Sequence, residues 1–132
     1  MPAMKLDAVT VTSQDFTKTA AFYRLLGFTF PDFEAGAKHL EAITQPGDVR
    51  LMIDDTSLMQ SITGKTPVPP THSAFAMKCA SPAAVDAAIA DIGKAGFTIV
   101  KQPWDAFWGQ RYAIVADPDG YMTDLFAPLQ AA

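Results

Sequence analysis

Few side chains in these 132 residues could carry out chemistry: two histidines, His39 and His72, one cysteine, Cys79, and aspartates closely spaced at 54–55 and 117–119. Serine, histidine and aspartate show no spacing that suggests a triad. The sequence also lacks a GxSxG nucleophile elbow, a P-loop, a dinucleotide-binding glycine run and the Cys/His spacing of structural zinc. Cys79 falls in an alternating apolar segment, where a small core residue is expected rather than a reactive thiol. A single cysteine forms no intramolecular disulfide and suits a reducing compartment. The Asp-Pro-Asp-Gly run at 117–120 reads as a turn, with Pro118 fixing φ and Gly120 permitting a positive one. Asp54 and Asp55 read as the end of a strand.

The aromatic residues are more informative. The run WGQRYAIVADPDG (108–120) sets an indole beside a glycine, just ahead of a strand rich in β-branched and aromatic residues. There a side chain can face a cavity while a neighbouring backbone approaches closely at Gly109. Trp108 is therefore expected to form one wall of a ligand slot, with Trp104, Phe107 and Phe33 at its mouth. Gln110 and Arg111 are expected to hydrogen-bond neighbouring strands.

The elements that position these residues come in two similar halves. The first runs from the alternating strand LDAVTVTS through a helix, DFTKTAAFYRLL, to GFTF; the second runs from HSAFAMKC through SPAAVDAAIADIGKA to GFTIV. Phe16, Ala20 and Tyr23 recur at i, i+4, i+7, as Val85, Ile89 and Ile92 do in the second half, which predicts two amphipathic helices. Asp15 and Ser81 are suitable N-caps, Pro82 suits a first turn, and Gly27 and Gly96 suit left-handed helix ends. GDVRLMIDD (47–55) parallels GQRYAIVAD (109–117). Strands are expected near 28–33, 38–44, 49–54, 97–101, 111–116 and 122–126. The unit is thus βαβββ, written twice: module 1 at about 4–62, a proline- and glycine-marked linker at 63–71, and module 2 at about 72–130. Each helix covers one face of its sheet, so the concave faces are left to form a cavity. The expected fold is α+β, a single domain over 1–132.

Composition narrows the partners. The hydrophobic fraction of 49% with 18% charged is ordinary for a globular chain of this length. A net charge of −4 without a basic run argues against nucleic acid, and no apolar stretch nears the ~20 residues of a membrane span. The N-terminus MPAMKLDAV lacks the build of a signal peptide, so a cytoplasmic location is expected.

With its duplicated grammar, FYRLLGF near the start and DPDG..TDLFAP near the end, the chain resembles the vicinal oxygen chelate superfamily of glyoxalases, extradiol dioxygenases and bleomycin-resistance proteins. The segment PWDAFWGQRYAIVADPDGYMTDLFAPL is most similar to the mitomycin- and bleomycin-resistance branch, whose members bind drugs without transforming them. Metal-dependent members hold a divalent ion from four strand positions. By resemblance these fall on Ala8, Met52, His72 and Asp124. Alanine cannot ligate and a thioether suits hard ions poorly, so no metal and no other cofactor is expected. The resemblance further implies Trp108 as one stacking plate and His39, in KHLEA, as the other, with Met52, His72 and Asp124 also at the ligand site. Asp124 is expected to pair with a backbone amide or an arginine. The superfamily resemblance implies a homodimer, domain-swapped, whose two cavities each take modules from both chains.

The function expected from these residues is metal-free sequestration of a small planar aromatic compound, as in antibiotic resistance. The alternative is a metal-dependent glyoxalase- or dioxygenase-type enzyme with an atypical site on His72 and Asp124.

Overall fold

The computed structural model describes residues 4–130. Strand β1 (Ala8–Ser13) leads into helix α1 (Phe16–Leu25), followed by β2 (His39–Glu41) and β3 (Arg50–Asp55). A short helix, α2 (Thr56–Thr63), precedes the second half: β4 (Phe75–Lys78), α3 (Pro82–Lys94), β5 (Thr98–Ala106), β6 (Gln110–Ala116) and β7 (Met122–Pro128). The α+β class with mixed sheets follows directly.

The helix signals operate as their chemistry dictates. The Asp15 carboxylate accepts the Lys18 N–H, and the Ser81 hydroxyl oxygen accepts the Ala84 N–H, each satisfying a first-turn donor that the helix leaves unpaired. Beyond the last turns, Gly27 and Gly96 take φ of +100° and +87°, conformations in which a Cβ would be strained. Phe16, Ala20 and Tyr23 on α1, and Val85, Ile89 and Ile92 on α3, are buried in one core shared by both halves. Cys79 packs against that core, and burial pushes its thiol pKa up.

The two sheets repeat one topology. The first has the order β1-β3-β2 and the second β4-β7-β6-β5. In each, the opening strand pairs in parallel with the last strand of its half, and the remaining pairs are antiparallel. The counterpart of β5 in the first half would be the strand expected at 28–33. It does not form. Pro31 has no N–H to give a ladder, and the pairing is reduced to one bond, Ile43 N–H to the Thr29 carbonyl at 2.8 Å. The first half is therefore βαββ. The chain after Asp54 also differs from expectation: Asp55 caps α2 by accepting the Ser57 N–H, and Gly64 ends the helix at φ +76°.

Alternation sorts the sheet faces. Val11, Leu51, Ile53 and Leu40 point into the core, as do Ala113, Val115, Leu125 and Ala127. The opposite face of the first sheet carries the register sets Thr10–Met52–Glu41 and Thr12–Asp54–His39. That of the second carries Tyr112–Phe126 and Ile114–Asp124.

Candidate functional site

A tight turn joins β5 to β6, with Gly109 at φ +89° and its N–H bonded to the Ala106 carbonyl. This turn lifts Phe107 and Trp108 out of the sheet: Phe107 is 97% exposed and Trp108 49%. The indole is not loose. Its Nε1–H donates to Gln110 Oε1 at 2.9 Å, and its ring meets Trp104, Phe107 and Tyr112 edge-on, at centroid distances of 6.1, 5.1 and 5.3 Å. Tyr112 also touches Trp104 at 5.5 Å and lies nearly parallel to Phe126 at 6.1 Å. Edge-to-face and offset geometries are those the aromatic quadrupole favours. The result is an aromatic wall on the face of the second sheet turned away from the core.

Asp124 anchors this wall. Its carboxylate accepts hydrogen bonds from the Tyr112 and Ser73 hydroxyls, not from an arginine or a backbone amide as its strand position suggested. The Tyr112 phenol is pushed up to about 12, first by burial and then by the hydrogen bond and charge of Asp124. His72 is exposed, and its Nδ1 donates to the Ser73 carbonyl at 3.0 Å.

His39 and Phe33 lie elsewhere. Both border a cleft of about 540 Å³ formed with residues 31–41, which Trp108 does not line. The His39 Nδ1 is 2.5 Å from Asp54 Oδ1, its register partner, and its Nε2 is 3.8 Å from Glu41. Met52 shares this sheet face. The expected residues thus fall into three groups: Trp104, Phe107 and Trp108; His72 with Asp124 through Ser73; and His39 with Phe33, next to Met52. Tyr112 joins the first two groups. The third belongs to the other sheet.

The donor set does not fit the divalent ion that the superfamily's enzymes hold. Ala8 has no donor atom, Met52 offers a thioether, and both Asp124 oxygens already accept hydroxyl protons. Among the described residues, no three His, Cys, Asp or Glu side chains gather as metal ligands. Among the described residues, no helix is long and apolar enough to cross a membrane.

Fold and sequence agree on the chain's relationships. The model of the Glyoxalase/Bleomycin resistance protein/Dioxygenase superfamily matches residues 5–125, across both halves. The chain belongs to that superfamily. Similar solved structures of this superfamily fold include a glyoxalase-related enzyme from Fulvimarina pelagi, with TM-score 0.79 and 17% identity over 93% of this chain and 87% of that one. A glyoxalase/bleomycin resistance protein/dioxygenase from Nocardioides gives 0.73 and 21% over 100% and 88%. A lactoylglutathione lyase from Agrobacterium tumefaciens gives 0.68 and 14% over 96% of each. No match arises among curated proteins.

Sequence reasoning missed three functional candidates in this superfamily member: Tyr112, Ser73 and Asp54. Tyr112 was legible in part, because strand alternation with the 117–120 turn places positions 112, 114, 124 and 126 on one face. Ser73 and Asp54 depend on pairings 51 and 15 residues apart, which local pattern does not reveal.

Proposed function

We propose that this protein captures a small, flat aromatic compound without a metal, as a drug-binding protein of the mitomycin- and bleomycin-resistance kind would. The observation that carries this reading is the half-exposed Trp108, held upright among Trp104, Phe107 and Tyr112 with its only polar atom satisfied. An exposed aromatic cluster of this kind marks an interaction site rather than a core. Offset stacking on such a wall supplies about 0.5–1.5 kcal/mol per ring beyond area burial. The poor metal-ligand set at Ala8, Met52, His72 and Asp124 supports binding over metal-dependent turnover.

A homodimer completes the site. In one chain His39 and the Trp108 wall lie on different sheets, and among the described residues β1 and β4 are edge strands. We infer that in a swapped assembly the partner's His39 would supply the second plate opposite Trp108. Titration of tryptophan fluorescence with mitomycin- and bleomycin-type compounds tests capture, and saturable quenching at micromolar ligand is expected. Unchanged emission at high micromolar ligand would overturn it. Metal analysis of protein purified without chelators tests the enzymatic alternative; a near-stoichiometric divalent ion would favour that alternative instead.

A further inference from the structure

The aromatic wall carries charge of one predominant sign. Lys101 Nζ lies over the Trp104 ring, 5.1 Å from its centroid, placing an ammonium against the wall. Lys78 is the register partner of Phe126, the ring on which Tyr112 stacks, so its side chain leaves the sheet on the same face. Both lysines are exposed, and neither makes an ion pair among the described residues. This contrasts with Arg50 and Arg111, each of which bridges two carboxylates. The carboxylate on this face, Asp124, accepts the hydroxyl hydrogens of Ser73 and Tyr112. Arg111 and Asp105 leave the sheet on the other side, where Arg111 meets Asp86 of α3. A chain of net charge −4 therefore presents, beside these rings, two ammoniums with no carboxylate partner among the described residues, one of them over the Trp104 ring.

We infer that the Trp104–Trp108–Tyr112 wall selects aromatic anions: flat rings bearing a carboxylate, sulfonate or similar group that meets Lys78 or Lys101. The inference rests on the proposal that this wall captures aromatic compounds, and it adds the ligand's charge. An anion stacked on the indole brings its charged group to the margin, where an ammonium can donate hydrogen bonds to it. Charge-assisted bonds of this kind are stronger than neutral ones. A cationic ring would meet like charge at the same margin.

The test uses two probes of similar size, the anionic 8-anilinonaphthalene-1-sulfonate and the neutral N-phenyl-1-naphthylamine, titrated against the full-length protein. The sulfonate is expected to bind roughly tenfold more tightly at low salt, and to lose that margin as salt rises from about 0.05 to about 0.5 M. The double variant Lys78→Gln/Lys101→Gln should bring the two affinities together, chiefly by weakening the sulfonate and abolishing its salt dependence, and Trp108→Ala should weaken both. Equal affinities in the wild type would overturn the charge selection and leave aromatic capture standing. Binding of neither probe would overturn capture itself. Probe binding unaffected by Trp108→Ala would place it away from this wall and overturn the inference.

Discussion

The Tyr23 hydroxyl, on the helix of the first half, donates to Asp117 Oδ2 at 2.8 Å, at the start of the turn between the last two strands of the second half. The same turn makes three more ties. Asp119 accepts the Gln14 N–H at 3.1 Å and faces the Thr19 hydroxyl at 3.4 Å, and Tyr121 bonds Thr12 at 2.8 Å. The segment that reads as a simple turn is therefore a polar clasp between the two halves.

Tyr23→Phe keeps the buried ring but removes a donor from Asp117, which is itself buried. Unfolding free energy from urea titration should fall by about 1–3 kcal/mol, the usual result of leaving a buried acceptor short of a partner. A loss below a few tenths of a kcal/mol would show that the clasp does not contribute.

Burial raises the Asp117 carboxyl above its ordinary range, outweighing the donors from Tyr23 and from the Tyr121 and Asp119 amides. A carboxyl raised on folding takes up its proton more readily in the native state. Its contribution is complete below the unfolded value of about 3.9 and is lost as pH rises through the folded value. In urea unfolding from about pH 3 to 7, the wild type should lose stability relative to Asp117→Asn as pH rises. A difference that ran the other way would refute this assignment.

Asp124→Asn should lower the Tyr112 phenol from about 12 toward the ordinary tyrosine value of 10, because it removes the facing charge while most of the burial remains. Absorbance titration of phenolate formation reads this directly: one of the three tyrosines should move down. An unchanged titration would mean that burial alone sets the phenol.

Trp108→Ala should reduce aromatic-ligand affinity at least about tenfold while costing the fold only about 1 kcal/mol, since the indole is half exposed and packed edge-on. Paired ligand titration and thermal melts separate the two effects. Equal loss in both would assign the indole to the core.

Size-exclusion chromatography with light scattering should return about twice the 14.2 kDa monomer mass. A monomer at working concentration would remove the partner's His39 from the site and leave the Trp108 wall to act alone.

Much of this fold was legible in local chemistry. The caps at Asp15 and Ser81, the glycines at 27 and 96, and the alternation through 111–116 and 122–126 depend on neighbours close in sequence. The strand expected at 28–33 failed at Pro31, whose missing N–H outweighs the β-formers around it. Helix α2 carried its own signals, the Asp55 cap and the Gly64 stop, but they lay beside a segment read as a strand end and linker. At the site, Trp108 could be singled out because glycine and exposure go together there. Its support by Tyr112, and that of Tyr112 by Asp124 and Ser73, arises only once distant strands come into register.

The hydrogen bond from Trp108 to Gln110 has a chemical corollary. An indole whose single donor is engaged within its own chain can show a visitor only its π faces and hydrocarbon rim. Such a surface responds to the breadth and flatness of a molecule, and it is indifferent to the pattern of heteroatoms within the ring. Compounds of one outline and one charge would then be accepted alike, whatever atoms their rings contain.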